Sequence, residues 1–483
     1  MPLPDSSVSS ADGMNRSWQS GTRGRSADSR PIPPADPRPA TLLTANGALG
    51  PRADGPIVGL GAFALFFLFF TSFGRLTDFV LLQFHLPFVI SLICLTAALV
   101  SRNFLAAFKS PVGIALTAFS LWIVFDIPFS VWRGGSFHLV SDGWSKSFAL
   151  FIVTAALLPS PRYCARAIKV LAYAFLTTSV LGFVYGQTRE GRFGLSQGLY
   201  MGSNELATAM AQGCIFWWFM IHNPARPLPR RVLSVLPVIP LVAILVRTAS
   251  RAGLIVLVII LMITFFRYSI EGRIALAVVV MVGVACGLVL TPGTIRQRFS
   301  TIFGGAENTA ASPNEAVAST AQRGFLLKRS IVLTFEHPLF GVGPGQFVVA
   351  ENGLSQQEGV SGQWLGTHNT YTQISSECGI PALLFFLASL YYCFRELRVA
   401  EKIHRSIPDM HSAEYITVAY TLRLALISYV VFFCFEHIGY DPFYPALAGI
   451  IVAFSRASRA MISQQQVQFS PAAGMGPSVQ LAR

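Results

Sequence analysis

Long apolar runs separated by short polar segments make up most of the chain. Because a membrane-spanning helix needs about 20 consecutive apolar residues, this pattern predicts about twelve spans. They cover residues 56–73, 78–100, 111–130, 147–159, 166–187, 203–222, 232–248, 252–267, 273–291, 379–395, 415–436 and 441–456. One long polar segment, residues 292–378, separates the ninth span from the tenth. The sequence therefore predicts an all-α polytopic membrane protein with one large loop outside the bilayer.

The two ends of the chain differ from this pattern. Residues 1–55 are rich in Ser, Pro, Gly, Ala and Arg, and residues 457–483 are also polar. Such segments bury too little apolar surface to fold, so both are predicted to be disordered tails. The predicted organisation is a tail (1–55), nine spans (56–291), the loop (292–378), three spans (379–456) and a second tail (457–483).

Composition supports a membrane protein. The chain is 53% hydrophobic and 12% charged, whereas soluble proteins contain about 25% charged residues. The formal net charge of +13 does not require a nucleic-acid partner, because Lys and Arg accumulate in cytoplasmic loops of membrane proteins. The seven cysteines contain no Cys-x-x-Cys pair, so neither a disulfide framework nor a zinc site is predicted.

Basic residues set the predicted orientation. With a cytoplasmic N-terminus, every cytoplasmic loop carries Lys or Arg, as the positive-inside rule requires. These residues are Arg102, Lys109, Arg162, Arg166, Arg226, Arg230, Arg231, Arg267, Arg273, Arg395, Arg398, Lys402 and Arg405. The even number of spans then places the C-terminus in the cytoplasm and the 292–378 loop on the outer side.

Several cations fall on the outer side, against this bias. They are Arg189 and Arg192, Arg247 and Arg251, and Arg323 with Lys328 and Arg329. An anionic ligand at the outer membrane face would explain why clusters recur in three separate loops. The alternative is that outer loops simply tolerate some arginines, as Arg75 and Arg133 also suggest.

Two of these clusters adjoin predicted spans. Arg192 lies in a glycine-rich loop that leads to Asn204 at the start of the sixth span, where Asn204 either caps the helix or faces a ligand. Arg251 follows Ser250 between two apolar spans. An arginine there faces a cavity or partner or extends its charged end to the interface, and its planar guanidinium suits a phosphate.

The large loop carries two further patterns. Leu327, Ile331 and Phe335 recur at helical spacing, which predicts an amphipathic helix on the outer membrane surface, with Arg323 one turn before them. The sequence from Gly341 to Gly345 resembles a nucleotide-binding loop, but no Lys-Ser/Thr pair follows it. A tight turn, or a backbone nest that binds an anion, is predicted instead.

His368 is the candidate catalytic residue. Histidine can take a proton from a hydroxyl near neutral pH, and His368 shares the outer side with the arginine clusters, together with Asn369 and Tyr371. A structural histidine is the alternative, and His138, His337 and His437 are competing outer-face histidines. The outer loops show no carboxylate cluster, so no metal and no cofactor is predicted.

The order of these motifs resembles the O-antigen ligase family, whose relatives include O-antigen and exopolysaccharide polymerases. The resemblance covers about residues 190–395. It rests on His-Pro-Leu-Phe-Gly-Val-Gly-Pro-Gly-Gln-Phe at 337–347, Thr-His-Asn-Thr-Tyr at 367–371 and Glu-Cys-Gly-Ile-Pro at 377–381. Where the family often has a glycine next, this chain has Ala382, a departure expected to affect helix packing.

The resemblance implies a GT-C-like membrane fold and transfer of a glycan from polyprenyl (undecaprenyl) diphosphate without a metal. It implies that Arg251 and Arg323 bind the diphosphate and that His368 activates the acceptor hydroxyl. Arg192 and Asn204 match less closely, and Asn369, Lys328 and Tyr371 complete the predicted substrate-binding set. The implied location is the bacterial inner membrane with the loop in the periplasm.

Three functions remain open at this point. The first is an inverting glycosyltransferase that adds a glycan to lipid A-core, as an O-antigen ligase does. The second is an O-antigen or exopolysaccharide polymerase, because nothing in the sequence identifies the acceptor. The third is a transporter or flippase of lipid-linked saccharides, although transporters place their polar residues near the bilayer midplane.

Overall fold

A computed structural model describes residues 56–80, 86–101, 103–189, 192–290, 313–407 and 410–468. The predicted tail 1–55, the last residue of the predicted ninth span (291), the first part of the large loop (292–312) and residues 469–483 lie outside this described part. The described chain is mostly helical, and each of the twelve predicted spans coincides at least in part with a helix.

The helices and strands follow one another in this order: α1 (Pro56–Gly74), α2 (Leu76–Val80), α3 (Leu86–Val100), α4 (Phe104–Lys109), α5 (Pro111–Asp126), α6 (Arg133–His138), α7 (Ser145–Leu157), α8 (Pro161–Tyr185), β1 (Gly186–Arg189), β2 (Arg192–Leu195), α9 (Ser203–His222), α10 (Leu228–Leu233), α11 (Val238–Arg247), α12 (Arg251–Arg267), α13 (Ile270–Leu290), α14 (Pro313–Glu336), α15 (Phe347–Gln357), α16 (Thr370–Ser406), α17 (Ser412–Phe432) and α18 (Phe443–Gln468). The two strands pair as one antiparallel hairpin.

Within the described residues, seven segments are long and apolar enough to cross a membrane by length and composition. They are Ile57–Gly74, Pro111–Phe129, Pro161–Tyr185, Leu228–Arg247, Thr370–Ser406, Ser412–Phe432 and Phe443–Ser463. The protein is therefore an all-α polytopic membrane protein, as predicted. Spanning by the other five predicted segments stays a prediction.

Three predicted boundaries differ from the structure. The large loop was predicted to run to residue 378, but it contains α14 and α15, and α16 already begins at Thr370. Helix α16 is interrupted at Gly379, whose φ is +79°, so the predicted start of this span coincides with a break inside a longer helix. Helix α18 continues to Gln468, so the second predicted tail is helical over its first twelve residues.

The predicted amphipathic helix forms as α14, but the face that is buried is not the predicted one. Leu326 and Leu333 are buried with Val342 and Phe347 in a small apolar cluster separate from the main core. The predicted stripe of Leu327, Ile331 and Phe335 is exposed. Helix α14 is tied to α16 by a hydrogen bond between the Thr334 and Ser375 hydroxyls (2.8 Å).

The glycine-rich segment 341–345 is the predicted tight turn. Gly341, Gly343 and Gly345 all have positive φ, which glycine adopts without strain. The Val342 and Gly343 N–H groups donate to the Ser376 and Glu377 carbonyls at 2.9 and 2.8 Å. The turn is thus fixed against α16 just before its break.

Gly341→Ala is expected to lower stability by roughly 1–3 kcal/mol. A Cβ at this position would lie 2.3 Å from the Glu377 carbonyl carbon, and φ is +62°. Thermal unfolding of the detergent-solubilised protein measures the loss. Gly353→Ala in α15 is the matched control, because a Cβ added there would have no neighbour within 4 Å, and an equal loss in both variants would contradict the prediction.

Candidate active site

The first turn of α16 holds the segment that connects α17 to α18. The Thr370 N–H donates to the Phe433 carbonyl at 2.8 Å, and the Thr370 hydroxyl donates to the Glu436 carbonyl at 2.7 Å. The same hydroxyl accepts from the Ile438 N–H at 3.1 Å. Because His368 stands two residues before Thr370, these bonds place His368 beside Glu436 and His437.

His368 has an unusual backbone conformation for a residue other than glycine. Its φ is +50°, in the left-handed region, which costs about 1–3 kcal/mol and is concentrated at functional sites. Its ring packs edge-on against the His437 ring, with centroids 5.2 Å apart. Its Nδ1 atom is buried and has no hydrogen-bond partner among the described residues.

The hairpin supplies Arg192 from the opposite side. Arg247, at the end of α11, lies over the Phe193 ring of β2 at 4.3 Å and so anchors the hairpin. The Arg192 guanidinium donates to Asn204 Oδ1, and Ser250 Oγ donates to the same oxygen at 2.9 Å. Asn204 therefore joins β2, the start of α9 and the start of α12.

A cavity of about 240 Å³ lies where these elements meet. Its walls carry two arginines, two histidines and two glutamates. The lining residues are Arg189, Arg192, Met201, Gly202, Ser203, Asn204, Glu205, His368, Glu436 and His437. An anionic ligand with hydroxyl groups would find both cations and proton acceptors in this cavity.

Burial and the neighbouring cations keep His368 neutral. Burial, then His437, Arg323 and Arg192, lower the pKa of His368 to about 3. Burial also lowers the pKa of His437, although the Glu205 carboxylate opposes that shift. Near neutral pH both imidazoles therefore have a free lone pair that can accept a proton.

The pKa of Glu436 shifts in the opposite direction, upward. Its side chain is 1% exposed, and burial, aided by the Glu205 carboxylate, raises the pKa of Glu436 to about 8, while Arg323 and Arg192 oppose the rise. The carboxyl group is thus mostly protonated at neutral pH and ionises in the mildly alkaline range.

His368, Glu436 and His437 could also hold a metal ion. One potential ligand atom from each lies within 4.8 Å of the others, and two imidazoles with one carboxylate are a common zinc ligand set. The nearby guanidinium groups disfavour a cation. A metal-free site stays a prediction.

The structure excludes the capping role considered for Asn204 and the anion nest considered for the glycine turn. Asn204 does not cap α9, because Gly202 is the N-cap residue and the Asn204 side chain accepts from Arg192 and Ser250 instead. The glycine turn does not offer an open anion nest, because its N–H groups at Val342, Gly343 and Gly345 donate to backbone or side-chain oxygens of α16.

Two predicted binding residues have structural roles. Asn369 caps α16, because its Oδ1 accepts from the Thr372 N–H at 3.0 Å, and its Nδ2 donates to the Cys434 carbonyl at 3.3 Å. The Tyr371 hydroxyl donates to the Val430 carbonyl at 3.0 Å. Neither residue lines the cavity, so substrate binding by Asn369 and Tyr371 stays a prediction.

Asn369→Ala is expected to cost about 1 kcal/mol of stability through loss of the cap and to reduce activity by displacing His368. Asn369→Ser retains a capping oxygen and should recover most of both properties. Thermal unfolding and the transfer assay described below measure the two effects. If serine and alanine reduce activity equally while the serine variant is fully stable, Asn369 contacts the substrate.

The other predicted cations, Arg251, Arg323 and Lys328, do not line the cavity. Arg323 is close enough to lower the pKa values of His368 and Glu436. Arg251 opens α12, directly after the Ser250 that bonds Asn204. Lys328 is exposed on α14 and does not line the cavity. The neighbouring Arg329 pairs with Glu358, with Nη1 and Oε1 2.7 Å apart.

Sequence reasoning missed Glu436 and Glu205 as cavity residues, named Arg189 only as a member of an outer cluster, and set His437 aside. Glu436 and His437 belong to a short polar run, Glu-His-Ile-Gly-Tyr-Asp, between two apolar spans. That run was the available signal, because polar residues at a membrane helix end often face a functional cavity.

A protein-family model matches part of the chain. Residues 236–387 match the family model described as O-antigen ligase, which confirms the resemblance there. This range contains Arg251, Arg323 and His368, whereas Arg192 and Asn204 precede it. No curated protein matches the chain.

One solved structure also aligns with the chain. It is described as "Structural coordination of polymerization and crosslinking by a peptidoglycan synthase complex", with 14% identity and a TM-score of 0.38 over 72% of this chain and 97% of that chain.

Proposed function

We propose that this protein, an O-antigen ligase or polymerase-like membrane enzyme of polysaccharide assembly, transfers a glycan from a polyprenyl diphosphate to an acceptor sugar hydroxyl. The observation that carries the proposal is the cavity in which a neutral His368 faces Arg189 and Arg192 of the hairpin, with Arg323 of α14 near enough to lower the pKa of His368. Lipid A-core is the acceptor in the first form of the proposal, and a growing glycan is the acceptor in the polymerase form.

The arginines bind the donor and stabilise its leaving group. Arg192, Arg251 and Arg323 carry guanidinium groups, which bind phosphate oxygens in pairs of hydrogen bonds. As the bond between the sugar and the diphosphate breaks, the electron pair goes to the diphosphate oxygen. Preorganised cations lower the energy of that developing charge, so the reaction proceeds without a metal.

His368 acts on the acceptor. Its neutral imidazole takes the proton of the acceptor hydroxyl, and the hydroxyl oxygen forms a bond to the anomeric carbon. Attack on the face opposite the diphosphate inverts the configuration at that carbon. The products are the extended acceptor and the free polyprenyl diphosphate, and the proton remains on His368 until solvent removes it.

The proposed orientation rests on the charge distribution, and the proposed membrane rests on the resemblance to the O-antigen ligase family. The protein lies in a bacterial inner membrane with both termini in the cytoplasm and the cavity on the periplasmic side, where lipid-linked glycans are assembled into surface polysaccharides. Labelling of Lys328, which is exposed on α14, with a membrane-impermeant amine reagent in intact spheroplasts tests this orientation.

The direct test of function is reconstitution. Purified protein in vesicles receives an undecaprenyl-diphosphate-linked glycan and either lipid A-core or a second lipid-linked glycan as acceptor, in the presence of a chelator. Product with one acceptor supports the transferase and separates ligase from polymerase. Movement of the lipid-linked glycan across the bilayer without any glycan product would support the transporter instead.

A further inference from the structure

His368 Nδ1 and Glu436 Oε1 are buried and lack a hydrogen-bond partner among the described residues. Both side chains line the cavity, and a ring nitrogen of His368 lies within 4.8 Å of a carboxylate oxygen of Glu436. An unpaired buried polar atom costs about 1–3 kcal/mol, so two such atoms on neighbouring side chains indicate a hydrogen bond that forms in the working state.

The proposed reaction requires a negative group beside His368. When His368 accepts a proton it becomes cationic, and His437, Arg323 and Arg192 already disfavour positive charge there. The charged groups that face this position from other elements are Arg189 and Arg192 of the hairpin, Arg323 of α14 and Glu205 of α9, with Asp441 near the start of α18.

Of the two glutamates that line the cavity, Glu436 is the better placed. Glu205 lies against Gly202, where an added Cβ would be 1.8 Å from Glu205 Oε2, on the α9 side of the cavity. Glu436 shares its loop with His437, and its carbonyl is bonded to Thr370, two residues after His368. The same contacts therefore hold both partners in place.

We propose that Glu436 is a positioning residue for His368. Its carboxylate accepts the Nδ1 hydrogen of His368, fixes the tautomer in which Nε2 has the free lone pair, and offsets the charge of the imidazolium formed during transfer. A carboxylate that pairs with a histidine in this way helps to activate hydroxyl nucleophiles in other enzymes. This inference rests on the proposed role of His368 as the base.

The pairing has a pH signature. Burial raises the pKa of Glu436 to about 8, so the fraction of ionised carboxylate rises as the pH increases through that value. Both the transfer rate and the nucleophilicity of His368 should rise over the same range. In Glu436→Gln the amide cannot ionise, so neither quantity should rise there.

The experiment compares the transfer rates of wild type, Glu436→Gln and Glu358→Gln between about pH 6 and 10. A chelator is present to keep metal ions off His368, Glu436 and His437. Glu358→Gln is the control, because Glu358 pairs with Arg329 away from the cavity. The kcat of wild type and control should rise through about pH 8, and Glu436→Gln should lose that rise and be at least about tenfold slower at pH 9, with the donor KM unchanged.

A second readout does not depend on turnover. Carbethoxylation of His368 by diethyl pyrocarbonate, followed by mass spectrometry of its peptide, reports the nucleophilicity of the neutral imidazole. The labelling rate should rise through about pH 8 in wild type and stay flat in Glu436→Gln. Identical profiles in the two proteins overturn the pairing. A difference in labelling without any glycan product supports the pairing and overturns the proposed transferase.

Discussion

His368→Ala is expected to lower the rate of glycan transfer by about 10²–10⁴-fold, the usual contribution of general acid–base catalysis. The structure gives two reasons. His368 is held in the left-handed region, at φ +50°, by the bonds of Thr370, and its neutral ring faces the cavity that contains Arg192 and Arg189. Alanine removes the proton acceptor but leaves those cations in place, so donor binding should change little.

The measurement is single-turnover transfer in vesicles together with equilibrium binding of the lipid-linked donor. His138→Ala is the matched control, because His138 is exposed on α6 and lies outside the cavity. Retention of at least half of the wild-type rate in His368→Ala would show that another group takes the proton. His437 would then be the next candidate, since its ring lies 5.2 Å from that of His368.

The sequence predicted the helical scaffold well, for a physical reason. A helix in a bilayer must satisfy its own backbone hydrogen bonds, so length and apolarity alone locate it. The hairpin was not predicted, because its strands of four residues each depend on a pairing partner and on Arg247 packing over Phe193. The helix α15 was missed because Phe347 is its one fully buried member of the small apolar cluster, and Val348, Ala350 and Leu354 are only partly buried against that cluster.

The site was predicted in part. Arg192, Asn204 and His368 line one cavity. They could be picked out in the sequence because polar or charged groups beside apolar spans are costly unless they have a role. Asn369 and Tyr371 had the same appearance in sequence but satisfy backbone groups of the α17 region. Such contacts connect residues about 60 positions apart, and no local pattern records them.

Glu436 was missed for a related reason. In sequence it stands in a short polar run with one other acidic residue, Asp441, and nothing in that run points to His368. Its proposed role rests on burial beside His368, and Arg323 and Glu205 have opposing effects on its pKa. Those effects come from three elements distant in sequence, so only the folded chain reveals them.

Arg323→Ala is expected to reduce kcat/KM for the donor by about 10²–10³-fold, which corresponds to about 3–4 kcal/mol of transition-state stabilisation. Arg323 stands on α14, which is fixed to α16 by the Thr334–Ser375 bond, and its charge acts on both His368 and Glu436. A diphosphate in this cavity would therefore lie within reach of its field. Removing the guanidinium leaves the leaving group without one of its cations.

Two further variants separate charge from geometry and from helix stability. Arg323→Lys keeps the charge but loses the paired hydrogen bonds of a guanidinium, so its activity should fall between those of wild type and Arg323→Ala. Arg329→Ala, on the same helix, removes a cation that pairs with Glu358 and should change activity by less than about threefold. If Arg329→Ala and Arg323→Ala are equally impaired, the effect comes from α14 as a whole, and Arg323 does not bind the diphosphate.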